Sequence, residues 1–267
     1  MTVAVRSTAR GLLLTVLGEF VLPSGGAPLT SAFIDVLGRL GVEEKSARQA
    51  LMRIAADGLL TSHRQGRRSV WHLTPTAEQF LTEGAERIYG FQATQPEWDG
   101  RWLIVLARVP ESERAARHVL RTRLSWAGFG SPAPGVWIST HVDRAKEAEQ
   151  VLGEAGVTDA QIFLAEHHAG GDLAVMVREA WDLDAVERGY EAFIAEFGRS
   201  REDDPLVRTV RLVHAWRHFP RTDPALPARL LPAGWSGMRA AKMFARRRGE
   251  WHTGAQAEWR RLTGEIR

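Results

Sequence analysis

The chain has 267 residues, with 44% hydrophobic and 25% charged side chains, the composition of an ordinary globular protein with room for two or three domains. Its formal net charge is only +3, so positive charge matters here only where it is local, and the absence of cysteine excludes disulfide frameworks, thiolate metal sites and cysteine nucleophiles. No charged-then-apolar leader opens the chain and no apolar run is long enough to span a bilayer, which predicts a soluble cytoplasmic protein.

Residues 7–20 carry Leu12, Leu13, Val16, Leu17 and Phe20 and predict an apolar helix, closed by Pro23-Ser24-Gly25-Gly26. Thr30 or Ser31 is suited to cap a second helix, with Phe33, Ile34, Leu37 and Leu40 inward. Gly41-Val42 then makes a short turn into a third helix. There Ala47, Ala50, Leu51 and Ile54 share one face, while Arg48, Gln49, Met52 and Arg53 point away from it. Gly58 ends that helix, and residues 59–64 and 67–73 read as a hairpin turning at Gln65-Gly66. A polar-faced helix followed by an arginine-tipped hairpin is the winged-helix pattern, in which the helix enters the major groove and the hairpin lies on phosphate. Between Arg39 and His72 seven basic residues stand against three acidic ones. The expected DNA-binding set is Lys45, Ser46, Arg48, Gln49, Arg53, Arg64, Arg67 and Arg68. Arg48 and Gln49 are suited to base edges and Arg64, Arg67 and Arg68 to phosphate or the minor groove, with Arg53 open between base and backbone.

Thr74-Pro75 starts a fourth helix, reaching about residue 89. A polar stretch with Gly and Pro follows and predicts a linker over 91–100. Strand 101–108, helix 111–126, strand 136–140, helix 143–155 and strand 161–165 then fit a small ferredoxin-like unit. Helices are predicted at 183–197, from Asp204-Pro205 through Trp216, and at 238–248 and 256–262. Between them, Pro220, Pro224, Pro227 and Pro232 impose a folded-back loop. The fold class is therefore α+β: a winged helix-turn-helix over 1–90, the linker 91–100, a ferredoxin-like α/β middle domain over 101–172 and a mostly helical carboxy-terminal domain over 173–267.

Several segments together resemble the PaaX family of transcriptional repressors of phenylacetate-degradation genes. They are SARQALMRIAADGLL at 46–60, GRR at 66–68, WHLT at 71–74, WDGRW at 98–102, LSWAGFGSPAPGVWIS at 124–139 and HAWRHFPRTDPALPARLLPAGWSG at 214–237. The resemblance covers almost the whole chain. It implies a winged-helix domain on operator DNA and a middle domain similar to the small CRISPR-adaptation endonucleases. It also implies a homodimer released by an aryl-CoA thioester such as phenylacetyl-CoA. One departure is Ser236, where the family's W-P-G triplet has proline.

An aryl-CoA effector needs guanidinium groups for its phosphates and an aromatic slot for its acyl group. Trp126, Phe129 and Trp137 are candidates for the slot, and Arg121, Arg123, Arg211 and Arg217 for the phosphates. Enzymatic readings find little support. The first strand of the middle domain, RWLIVLARVP, has no carboxylate to hold a divalent ion. His214 and His218 have zinc-motif spacing, but Ala215 stands where the general base would be. The adjacent pair His167-His168 points to opposite faces of a strand end. No catalytic residue, metal or cofactor is expected. The rival readings are a ligand-independent architectural nucleic-acid binder and, less favoured, a metal-dependent nuclease.

Overall fold

The computed structural model describes residues 8–91, 97–168, 170–199 and 203–264. The chain divides into two compact units. One takes the chain up to Phe91 together with Glu191–Arg217 and the segment from Met238 on, and the other takes the described residues from 97 to Tyr190 with His218–Gly237.

The first unit opens with α1 (Ala9–Val16), capped by the Thr8 hydroxyl, which accepts from the Gly11 amide. A π-helical stretch (Leu17–Val21) and the short α2 (Leu22–Ser24) continue it, so the helical path runs beyond the expected residue 20 to a left-handed Gly25. Ser7, the first residue of the expected helix, lies outside the described residues. The helix α3 (Thr30–Arg39) starts without a side-chain cap, because Leu29 stands at the N-cap and Thr30 is already the first helical residue, its hydroxyl accepting from the Trp71 indole. Next come α4 (Glu44–Ala56), the hairpin strands β1 (Leu60–Gln65) and β2 (Arg68–Leu73), and α5 (Pro75–Gly90). The hairpin turns at Gly66-Arg67, one residue later than expected, since Gln65 pairs with Arg68 and Gly66 (φ 63°) takes the left-handed position that glycine adopts without strain.

Leu13, Val16, Phe33, Leu37, Leu51 and Ile54 form the centre of this unit, joined by Leu206, Val210 and Trp259 from distant parts of the chain. Trp259 is fully buried and stacks on Phe20, with ring centroids 5.5 Å apart.

In the second unit the strands are β3 (Arg101–Ala107), β4 (Gly130–Ala133), β5 (Val136–Ser139) and β6 (Ala160–Glu166), with α6 (Arg114–Trp126) after β3 and α7 (Ala145–Glu154) after β5. They form one antiparallel sheet in the order β4-β5-β3-β6. Alternation along β3 divides its side chains: Leu103 and Val105 pack with Leu120, Leu124 and Val151 of the two helices, and Trp102 and Ile104 pack with Val177, Leu183, Leu226 and Leu230. Helix α8 (Leu173–Ala180) supplies Val177, and α9 (Leu183–Gly198) begins at Leu183. The proline-rich stretch holds α11 (Phe219–Thr222) and is pinned within its unit: the Tyr190 hydroxyl donates to Asp223, and both the amide and the hydroxyl of Ser236 donate to Glu187. Proline at 236 would supply neither donor.

The remaining helices are α10 (Pro205–Trp216) and α12 (Gly237–Thr263). A single helix thus replaces the two expected at the carboxy end. Trp251 and Ala255, both buried, hold the intervening turns in place despite Gly249 and Gly254. Gly254 is small for a reason, since a Cβ there would meet the Pro205 ring at 3.2 Å. Among the described residues no helix is long and apolar enough to cross a membrane.

Candidate nucleic-acid interface

Helices α3 and α4 are joined through Gly41, at φ 85°, and the Val42 amide donates back to the Leu37 carbonyl. That turn sets α4 so that Ala47, Ala50, Leu51 and Ile54 are buried against the core. Lys45, Arg48, Gln49, Met52 and Arg53 are consequently exposed and Ser46 is half-buried. Met52, at 63% exposure, is a large apolar side chain on an otherwise polar face. Arg48 is held by Glu44 one turn earlier, at 2.7 Å, a surface pair worth only about 0.3–0.5 kcal/mol and so easily exchanged for another partner.

The hairpin is anchored at its base. The Trp71 indole donates to Thr30 Oγ1 at 2.9 Å, its amide donates to the Pro28 carbonyl, and Leu29 bridges to Val70. On the other side the Thr74 hydroxyl donates to the Gly58 carbonyl at 2.8 Å and caps α5. Beyond these anchors the hairpin is exposed. Arg64 donates to the Gly66 carbonyl across the turn, at 3.3 Å. Among the described residues, Lys45, Arg53, Arg67 and Arg68 have no acidic partner. Within this one unit the helix face and the hairpin tip therefore present Lys45, Arg53, Arg67 and Arg68 with no acidic partner among the described residues.

The residues expected to meet an effector are dispersed. Arg121, Arg123, Trp126 and Trp137 belong to the second unit, Arg211 and Arg217 to the first. Arg121 is exposed, and Arg123 pairs with Glu154 at 3.1 Å. Trp126 is 55% exposed, with the Arg221 guanidinium 5.1 Å over its ring. Trp137 and Phe129 are buried in the core formed with α6 and α7, which Trp126 does not join. Arg211 is exposed, while Arg217 donates from Nη1 to the Gly11 carbonyl and the Thr15 hydroxyl.

Sequence reasoning missed a polar cluster inside the first unit. Glu19, within the π-helical stretch, is 3% exposed, and its carboxylate meets Arg248 through two contacts of 3.3 Å. Burial pushes its pKa up despite that partner. His214 lies 3.2 Å from the Thr15 hydroxyl, and burial, helped by the charge of Arg217, holds its pKa down at about 4. The available signal was Glu19 itself, the one acid in an otherwise apolar run from Leu12 to Val21. Among the described residues no cluster of three or more His, Asp and Glu is placed to hold a metal ion.

Three family models match consecutive parts of the chain: "PaaX-like protein" over residues 8–77, "PaaX protein central Cas2-like domain" over 95–177 and "PaaX-like protein C-terminal domain" over 181–261. The transcriptional repressor PaaX of Escherichia coli (strain K12) is 31% identical over 260 residues, covering 90% of this chain and 79% of the relative. The solved structure of an uncharacterized protein, Rv0674, from Mycobacterium tuberculosis matches with a TM-score of 0.63 at 22% identity, covering 96% of this chain and 99% of that one, which speaks for the fold. This chain belongs to the PaaX-like family of transcriptional repressors, whose members are regulators and not enzymes.

Proposed function

We propose that the chain is a DNA-binding repressor of aromatic-acid catabolic genes, acting in the cytoplasm as a homodimer and released from its operator by an aryl-CoA thioester. In this reading α1, α3 and α4 with the β1–β2 hairpin are a winged helix-turn-helix. The β3-α6-β4-β5-α7-β6 order and its antiparallel sheet support a ferredoxin-like middle domain. The boundaries expected from the sequence, with a linker over 91–100, remain the proposed functional division.

One observation carries the reading: the outward face of α4 and the hairpin tip bear Lys45, Arg48, Gln49, Arg53, Arg64, Arg67 and Arg68, all exposed, with Glu44 the single acid paired among them. Arg48 and Gln49 lie near the start of α4, where the side chains of a groove-inserted helix reach base edges. The arginines of the hairpin are assigned to phosphate, and Ser46, half-buried on the same helix, to a backbone contact. Two copies would set their helices about 34 Å apart, on successive turns of a palindromic site. Arg121 in the second unit and Arg211 in the first, both exposed, are alternative phosphate partners for the effector's nucleotide end. Trp137 is already used by the core and Trp126 has the Arg221 guanidinium over its ring, so neither is assigned to the acyl group.

The test is fluorescence anisotropy of the full chain on a labelled duplex from the region upstream of its own gene, followed by titration with phenylacetyl-CoA. Saturable binding reversed by the thioester is the expected result. Binding that no acyl-CoA reverses would make the protein a ligand-independent DNA binder.

A further inference from the structure

A pocket of about 80 Å³, partly open to solvent, lies in the first unit among α1, the π-helical stretch, α5 and α10. Leu14, Leu81, Ile88 and Val213 provide much of its wall, and Phe80, 50% exposed, also lines it. Its polar neighbours are engaged with one another: Glu19 with Arg248, and Arg217 with Gly11 and Thr15. What remains for a guest is chiefly carbon.

Two glycines keep the space open. At Gly84, inside α5, a Cβ would meet nothing within 4 Å, and at Gly18 it would meet only Leu81 Cδ2, at 3.8 Å. Neither has a positive φ that would demand glycine. A glycine inside a helix costs about 1 kcal/mol relative to alanine, so the opening is held at the expense of stability. An apolar cavity of about 150 Å³ holds a benzene molecule. A pocket of about 80 Å³ with an open side takes the leading part of such a ring and leaves the rest of the molecule in water.

We infer that this pocket receives the apolar end of the effector, an aromatic ring or a branched hydrocarbon group entering end-on with its polar remainder outside. The inference rests on the ligand-responsive reading above and adds where the ligand is sensed. The place suits the task, because α1 packs on α4 and α5 follows the hairpin directly. A group wedged between the π-helical stretch and α5 therefore presses on the elements that carry the exposed arginines.

The experiment uses the full chain, titrated calorimetrically with phenylacetyl-CoA and screened by thermal shift with toluene, in the wild type and in Gly84→Met. The added side chain fills the pocket while improving helix propensity, and Gly84→Ala serves as the milder variant should the first fold poorly. A loss of about tenfold or more in thioester affinity in Gly84→Met, with a smaller loss in Gly84→Ala, is expected from excluding a ring. Toluene should stabilise the wild type and not Gly84→Met. Equal thioester affinity in all three proteins would overturn the pocket and leave the effector reading standing. Stabilisation by toluene that Gly84→Met abolishes, without any response to the thioester, would keep the pocket and remove the CoA ligand. No response of the wild type to either probe would overturn both.

Discussion

Two sets of arginines within the first unit carry the same guanidinium and lead different lives. Arg39, on α3, contacts Asp35 at 2.6 Å, Asp204 at 3.0 Å and Glu258 at 2.6 Å; Arg248 meets buried Glu19, and Arg217 ties α10 to α1. These tie parts of the chain more than a hundred residues apart. Arg53, Arg67 and Arg68, a short distance along the same sequence, are exposed and among the described residues have no acidic partner. Folding explains the first set. The second set adds no ion pair to the fold among the described residues, which is why the proposed function assigns it to DNA phosphate.

The comparison can be broken most forcefully at Arg248. Arg248→Ala leaves the Glu19 carboxylate buried without its cation and should cost about 3–5 kcal/mol in urea unfolding. Changing Arg67 and Arg68 to Ala together should move stability by no more than about 0.5 kcal/mol. Equal losses in the two experiments would erase the distinction between structural and available arginines.

A smaller effect is expected at Arg48→Ala, about 1–3 kcal/mol of discrimination at one base position, read by comparing selected binding sites of the two proteins. Unchanged preference at every position would take Arg48 off the base edges.

A further effect concerns pH. The folded state holds the His214 pKa at about 4, below the ordinary 6.5, so its contribution to stability is complete above pH 6.5 and is lost as pH falls toward 4. Glu19, raised above 4.5, takes up its proton early in the folded state and acts in the opposite sense. The wild type minus His214→Asn difference isolates the histidine: melting temperatures of the two should converge as pH drops from 6.5 toward 4. A constant gap would contradict the buried, neutral ring.

Much of this was legible in the sequence wherever local periodicity and burial coincide. The inward face of α4 follows from the spacing of Ala47, Ala50, Leu51 and Ile54, and the basic character of its outer face from what is left over. Tertiary packing decided the rest. Two helices are expected at 238–248 and 256–262, yet α12 runs unbroken through Gly249 and Gly254, with Trp251 and Ala255 buried and Pro205 packed close to Gly254. Trp126 and Trp137 look equivalent as letters, but one is exposed and the other is core. The buried glutamate of the π-helical stretch is paired with Arg248, 229 residues further along the chain and beyond the reach of any local pattern.

The central claim is that the exposed guanidinium groups of the α4–hairpin surface meet DNA phosphate. Its most direct measurement is the dependence of duplex affinity on salt concentration, for the wild type and for Arg64, Arg67 and Arg68 changed together to Ala. Each lost phosphate contact should flatten the log–log slope by about 0.9, so the triple variant is expected to lose between about 2 and 3 from its slope and to bind all sequences more weakly. Identical slopes in the two proteins would contradict the claim.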